Sequence, residues 1–268
     1  MMQYEEPAPA KLNLALHVRG KLPDGRHRLQ TIFAFCTHGD TLAATAADEL
    51  TLETSGPFAG ELGPVEDNLV LRAARALREA AGVTSGAGLT LTKNLPVASG
   101  IGGGSADAAA ALRLLTRLWN VDPAHAQRIA PDIGADVPAC LLSMTARGNG
   151  AGDEIELFDA GVSGAPVLLL NPRVQVSTAE VFARWNGEDK GGLGDWRAGR
   201  NDLEAAAVEL VPLIGAVLAW LSVQSGARFV RMSGSGATCF AIFESEEARD
   251  RSADAVPREW WRLATTLR

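Results

Sequence analysis

The glycine-rich stretch from Pro96 to Asp107 constrains the fold of this chain more than any other feature. Four of the five residues from Gly100 to Gly104 are glycine, and the segment from Ala108 to Trp119 repeats large apolar residues every three or four positions. That spacing predicts a helix. A glycine loop that opens a helix presents backbone N–H groups and the positive end of the helix dipole, an arrangement that binds phosphate.

The loop matches neither of the two common phosphate-binding motifs. A P-loop requires a Lys directly after its last glycine, and no Lys follows this loop. Ser105 and Asp107 stand where a dinucleotide-binding motif needs glycine. The alternative is an ordinary loop in which Ser105 caps the helix and Asp107 lies in its first turn. From the loop alone, both interpretations stay open.

Length, charge and cysteine usage limit the class of protein. The chain has 268 residues, enough for one large domain or two modest ones, and its net charge of −7 disfavours a general nucleic-acid binder. The three cysteines lie far apart in no metal-binding spacing, which indicates a reduced, cytoplasmic setting. The most apolar long segment contains charged residues and Pro212, so no membrane span is predicted.

Local patterns predict several elements of an α+β fold. Apolar and polar residues alternate from Lys11 to Val18, which predicts a half-buried strand with Lys11 and Asn13 on its solvated face. Gly39-Asp40 predicts a turn between strands. The glycine-rich segment from Gly187 to Gly199 predicts a mobile loop.

The sequence signals for helices are stronger than those for strands and loops. Asn68 to Ala81 has a helical apolar period, and Asp122-Pro123 predicts the start of another helix. Pro212 should split a helical region that begins at Leu203. Small residues near Gly161 suggest a domain boundary there, which gives an N-terminal domain over 1–160 and a C-terminal domain over 161–268.

Three stretches, taken in order, resemble the GHMP kinases. These are Pro9 to Leu14, the glycine loop of residues 96–107, and Met232 to Ala237. The resemblance implies a two-domain fold, with an N-terminal α/β domain like domain 2 of ribosomal protein S5 and a ferredoxin-like α+β C-terminal domain. It also places the glycine loop of the N-terminal domain at ATP.

Further segments are similar to one branch of that family, the kinases of a cytidine-diphosphate-linked methylerythritol in the non-mevalonate isoprenoid pathway. They are Ala8 to Leu14, Asp24 to His27, Gly102 to Ser105, Gly134 to Pro138 and Asn201 to Glu204. One position departs from the pattern. Arg26 stands where the family often has a tyrosine that stacks on cytosine, although a guanidinium can also stack on a base.

The resemblance implies roles for individual residues. Asp136 and Lys11 would face the acceptor, a tertiary hydroxyl, with Asp136 orienting it and Lys11 stabilising charge. The positions implied for ATP are Pro96, Gly100, Ile101, Gly102, Gly103, Gly104, Ser105, Asn68 and Lys93. The positions implied for the acceptor are Asn13, Arg26, His27, Thr178, Phe182, Gly234 and Ser235.

The same resemblance implies ATP with Mg²⁺, a small-molecule acceptor, no nucleic-acid or membrane partner, and a monomer or weak homodimer. Two rival interpretations remain. Another small-molecule GHMP kinase, for homoserine or mevalonate, would share the loop and fold. A nucleotide or sugar sensor on the same fold would not need both Lys11 and Asp136.

Overall fold

The computed structural model describes residues 3–268, so the first two positions of the predicted N-terminal domain lie outside the described residues. The strands are β1 (Tyr4–Lys21), β2 (His27–Ala47), β3 (Leu50–Ser55), β4 (Gly86–Thr92), β5 (Ala146–Asn149), β6 (Glu154–Leu157), β7 (Pro166–Asn171), β8 (Ala227–Met232), β9 (Cys239–Phe243) and β10 (Trp261–Thr266). The α-helices are α1 (Leu69–Ala80), α2 (Gly103–Leu118), α3 (Pro123–Ile133), α4 (Val137–Leu142), α5 (Thr178–Arg184), α6 (Glu204–Leu210), α7 (Leu213–Ser222) and α8 (Glu246–Asp254).

The helix starts predicted at Asn68 and Asp122 are confirmed, and the helix expected from Leu203 begins at Glu204. Asn68 precedes α1 and its side chain accepts a hydrogen bond from the backbone of Val70. Asp122 caps α3 in the same way through Ala124, and Pro212 separates α6 from α7. These ends follow from the sequence because a cap or a proline acts on its immediate neighbours.

The chain forms two compact units, each built from separate stretches. The first unit comprises residues 3–10, 38–97 and 102–143, and the second comprises residues 11–37, 98–101 and 144–268. The boundary proposed between residues 160 and 161 remains a prediction from the sequence.

In the first unit, β4 lies between β3 and the later part of β2. It pairs in parallel with β3, with Leu52 opposite Leu89, and antiparallel with β2, with Leu42 opposite Leu91. Helix α1 packs against α2 and α3, and α2 also packs against α4. The alanine-rich buried face of α2 allows this close packing because small side chains let helices approach.

In the second unit, a four-stranded antiparallel sheet has the order β10-β7-β9-β8. Leu169 of β7 is paired with Phe240 on one side and Leu263 on the other. Together with the intervening helices, this order is the ferredoxin-like arrangement that the resemblance implied. Leu168 and Leu170 of β7 pack in one core with Val217 and Leu221 of α7.

Two expectations for β1 and β2 are wrong. Lys11 and Asn13 are 3% and 2% exposed, so β1 is buried on both faces instead of presenting a solvated one. Gly39 and Asp40 do not form a turn, because they lie inside the continuous strand β2. Asp40 is itself buried. Within residues 3–268, no helix is long and apolar enough to cross a membrane.

Candidate active site

The first turn of α2 carries the predicted phosphate-binding backbone. Gly102 precedes the helix with φ of 65°, a left-handed conformation that favours glycine, and within the described residues no side chain caps the helix. Ser105 therefore lies inside the first turn and is not the cap. The N–H groups of such an uncapped turn have no partners within the helix and suit an anion.

A buried ion-pair cluster lies beside this turn. The Lys93 amine donates to Asp107 Oδ2 at 2.8 Å and also to Asp40. A Cβ added to Gly103 would lie 3.0 Å from Lys93 Nζ, so the amine is next to the first residue of α2. Burial raises the pKa of Asp107 to about 7; Lys93 opposes this shift and Asp40 adds to it.

Asp136 lies in the same unit as Ser105, just before α4. Its side chain does not cap that helix, and the residue is partly exposed. A Cβ added to the neighbouring Gly134 would lie 4.0 Å from Ser105 Oγ. The segment that carries Asp136 is therefore close to the first turn of α2. Of the other residues assigned to ATP, Asn68 caps α1 and Pro96 is buried.

The second unit holds the first half of the glycine loop against the loop after β8. Ser233 Oγ donates to the Gly100 carbonyl at 3.0 Å, and the Thr238 N–H donates to the Ser99 carbonyl at 3.1 Å. A Cβ on Gly100 would lie 2.5 Å from the Gly236 carbonyl oxygen. Ile101, fully buried, accepts a backbone hydrogen bond from Lys11.

Side chains of β1 and β2 orient Lys11. Its amine donates to Asn13 Oδ1 at 2.9 Å, and Asn13 Nδ2 donates to Thr31 Oγ1 at 2.8 Å. Thr31 in turn donates to the Ala15 carbonyl at 2.6 Å. The amine also lies over the Phe33 ring, 5.3 Å from its centroid. This chain of contacts fixes a buried cation in one direction.

His27 and Phe182, two of the residues assigned to the acceptor, form an aromatic group with Trp185 in the second unit. His27 stacks on Phe182 with ring centroids 4.5 Å apart and an angle of 26° between the rings, and Trp185 meets His27 edge-on. Burial, followed by the charge of Lys21, lowers the pKa of His27. This shift favours the neutral imidazole, which can both donate and accept hydrogen bonds.

Arg26 is engaged elsewhere. Its guanidinium pairs with Asp24 at 2.8 Å and Asp153 at 3.0 Å, and its side chain is 55% exposed. It is His27 that stacks on Phe182. Near that pair, Thr178 shares a hydrogen bond of 2.8 Å with the Ser235 hydroxyl, and the adjacent Gly234 has a left-handed φ of 56°.

Sequence reasoning missed several residues that organise these groups. Neither Asp40 nor Asp107 was predicted to bind Lys93, although both do. Ser233 bonds to both Gly100 and the backbone of Asn13. The amide of Asn201 donates to the Met232 and Gly234 carbonyls. Asn201 and Ser233 lie in motifs that the resemblance used, so their positions there were the available signal.

Comparison with known proteins gives the family. A family model for the GHMP kinases N terminal domain matches residues 68–144, and one for GHMP kinases C terminal matches residues 187–263. A homoserine kinase from Cytophaga hutchinsonii has the same fold, with a TM-score of 0.75, 18% identity and coverage of 99% of this chain and 95% of its own.

Relatives that match along nearly the whole chain identify the branch of this family. A 4-diphosphocytidyl-2-C-methyl-D-erythritol kinase from Rhizorhabdus wittichii is 50% identical over 100% of this chain and 96% of its own, and one from Novosphingobium aromaticivorans is 46% identical over 100% and 94%. A crystal structure of 4-(cytidine 5'-diphospho)-2C-methyl-D-erythritol kinase matches with a TM-score of 0.85, 32% identity and coverage of 99% of both chains. The chain therefore belongs to the GHMP kinases and, within them, to the 4-diphosphocytidyl-2-C-methyl-D-erythritol kinases.

Proposed function

We propose that this kinase transfers the γ-phosphoryl group of ATP to the tertiary 2-hydroxyl of 4-diphosphocytidyl-2-C-methyl-D-erythritol. The observation that carries the proposal is identity of 50% along the whole chain to an enzyme of that name. The reaction would serve the non-mevalonate isoprenoid pathway in the cytoplasm. ADP and the phosphorylated acceptor are the products, and the hydroxyl proton is lost.

The first turn of α2 would hold the triphosphate. Its left-handed glycine start and its lack of a side-chain cap, within the described residues, support this role. In phosphoryl-transfer enzymes magnesium binds the substrate phosphates together with a few protein groups, which in P-loop enzymes include a Ser or Thr hydroxyl. Ser105 Oγ would hold the magnesium ion, and the ion would neutralise phosphate charge.

Asp136 would orient the acceptor hydroxyl and take up its proton as the new P–O bond forms. Phosphoryl transfer has a loose transition state, so placing the hydroxyl contributes more than basicity does. Lys11 would stabilise negative charge on the transferring group. The hydrogen bonds from Lys11 to Asn13 and from Asn13 to Thr31 support this role, because a cation aimed in advance needs little reorganisation.

The aromatic group of His27, Phe182 and Trp185 would recognise the cytosine, with Thr178, Gly234 and Ser235 lining the same pocket. A base stacks on the face of an aromatic ring, and the neutral imidazole can hydrogen-bond to the base edge. Arg26 is paired with two carboxylates and would line the edge of this pocket without stacking on the base.

A coupled assay of ADP release tests the proposal with the cytidine-linked methylerythritol, homoserine and mevalonate as acceptors. We expect turnover with the cytidine compound and at most background rates with the other two. Equal turnover of homoserine or mevalonate would contradict the assignment. Binding of ATP with no acceptor-dependent ADP release would indicate a sensor.

Light scattering after size-exclusion chromatography would test the expected monomer or weak homodimer.

A further inference from the structure

Asp40, Lys93 and Asp107 form a charged cluster inside the first unit. The three residues are 1%, 2% and 2% exposed. Burying ionised groups is costly even when they are paired, and well-packed apolar residues often stabilise a core equally well. Stability alone is therefore a weak explanation for this cluster, which we call the buried clamp.

The buried clamp joins the two ends of the glycine loop that belong to the first unit. Asp40 Oδ1 accepts hydrogen bonds from the Leu95 N–H at 2.8 Å and from the Asn94 N–H, where the loop begins. Lys93 binds Asp107, in the second turn of α2, at 2.8 Å. The Lys93 amine thus links the segment that leads into the glycine loop to the beginning of α2.

We propose that Asp40, Lys93 and Asp107 are positioning residues that hold the first turn of α2 in register with the triphosphate of ATP. This inference rests on the proposed function. The Lys93 amine is occupied by two carboxylates and buried, so it acts through the helix start and does not contact the nucleotide. Binding of a triphosphate to backbone N–H groups depends on their placement, because small displacements of positioned groups cost large factors.

The clamp can be tested with a conservative variant at Asp107, because one oxygen of that carboxyl group makes, within residues 3–268, no hydrogen bond that the variant would break. Its Oδ1 atom has no hydrogen-bond partner among the described residues. Asn has the shape of the protonated acid, so Asp107→Asn removes a charge without creating a cavity. Lys93→Met keeps the aliphatic stem and removes the amine, but leaves two buried carboxylates. Asp107→Asn therefore keeps the proposal testable if Lys93→Met does not fold.

Calorimetric titration with the non-hydrolysable triphosphate AMP-PNP, and separately with adenosine, tests the clamp without any acceptor. We expect Lys93→Met to weaken AMP-PNP binding about tenfold or more, Asp107→Asn to weaken it several-fold, and the double variant to resemble Lys93→Met, since coupled residues are not additive. Adenosine binding should change less than about threefold, because adenosine makes no triphosphate contact.

Glu6→Gln is the matched control. Glu6 pairs with Arg113 and Arg117 in the later part of α2, so this variant loosens the same helix away from its first turn. We expect a lower melting temperature and unchanged AMP-PNP affinity. Unchanged AMP-PNP affinity in Asp107→Asn, with loss only in Lys93→Met, would overturn the clamp in favour of direct contact. Lower melting temperatures with unchanged affinity in all variants would reduce it to a stabilising cluster.

The clamp and the proposed function can fail separately. A wild-type protein that binds AMP-PNP but phosphorylates no acceptor would contradict the proposed function and leave the binding test intact. A wild-type protein that phosphorylates the cytidine compound, with AMP-PNP affinity equal in Asp107→Asn and wild type, would contradict the clamp alone.

Discussion

Ser233 and Gly100 are joined by a hydrogen bond of 3.0 Å between hydroxyl and carbonyl, although 133 positions separate them in sequence. Gly100 has a φ of 78°, and an added Cβ would lie 2.5 Å from the Gly236 carbonyl oxygen and 2.6 Å from that of Ser233. The atoms nearest to this added Cβ all belong to the backbone, so the clash could not be relieved by the movement of a side chain. The contact explains why the loop requires glycine at this position.

We expect Gly100→Ala to destabilise the protein by about 2 kcal/mol or more, since it adds both a strained φ and a backbone clash. Chemical denaturation should show the loss, and ATP affinity should fall with it. Gly164→Ala is the matched control, because Gly164 also has a positive φ, 79°, but no atom within 4 Å of an added Cβ. Equal effects of the two variants would show that strain alone matters and that the contact with Ser233 and Gly236 does not.

Asp136→Asn should lower turnover by roughly a hundredfold or more, the usual scale for a positioned proton acceptor. The apparent affinity for ATP should stay within a few-fold of wild type, because the triphosphate is assigned to the α2 backbone. Steady-state kinetics with both substrates would measure this split. Asp132→Asn, at an exposed position of α3, is the control and should leave turnover unchanged. Turnover near wild type in Asp136→Asn would show that this residue only shapes the segment before α4.

Local features of the fold were predictable from the sequence. The caps at Asn68 and Asp122 bind N–H groups two positions away, so sequence neighbours alone specify them. The strand order of the ferredoxin-like sheet could be predicted only through the family resemblance, because it depends on pairings between strands that are distant in sequence.

The burial of polar residues was not predictable in the same way. Lys11 and Asn13 read as a solvated face, whereas in the structure Thr31 and Phe33 of the next strand contact them. Asp40 follows a glycine and reads as a turn, whereas its partner Lys93 lies 53 positions away. A single sequence carries no direct signal for such long-range pairs. The arrangement of His27, and not Arg26, on Phe182 likewise depends on Asp24 and Asp153 capturing the guanidinium.

His17 should make stability depend on pH. Its Nδ1 donates to the Gly191 carbonyl at 3.1 Å and its Nε2 accepts from the Arg200 N–H at 3.2 Å, so the ring is neutral. Burial, with the charge of Arg200 adding to it, lowers the pKa of His17 below its usual value of 6.5. In the unfolded chain His17 gains a proton below 6.5, whereas the folded protein resists protonation. Stability is thus fully present above pH 6.5 and falls as the pH drops towards the folded pKa.

Melting temperatures measured between pH 8 and pH 5 would test this. Each unit of pKa lowering corresponds to about 1.4 kcal/mol of lost stability at low pH. His17→Gln should be less stable at pH 8 but have a flatter pH dependence, because Gln does not titrate. Identical slopes for wild type and His17→Gln would contradict the role of His17. The segment from Gly187 to Gly199 should become sensitive to protease at low pH, because His17 and Arg19 anchor it.

We expect the acceptor base to be held by the aromatic pair of His27 and Phe182 and not by Arg26. His27 already covers Phe182 at 4.5 Å, while Arg26 is paired with Asp24 and Asp153. Phe182→Ala should raise the acceptor KM about tenfold, the upper range for one stacked aromatic contact, and leave the ATP KM unchanged. His27→Phe keeps a ring on Phe182 but loses the hydrogen bond to the base, which is worth about 1 kcal/mol, or roughly fivefold in KM. Arg26→Gln should change the acceptor KM less than about twofold, since exposed ion pairs contribute little. An effect of Arg26→Gln as large as that of Phe182→Ala would instead mean that the guanidinium leaves its carboxylates and takes the stacking position of the family's tyrosine.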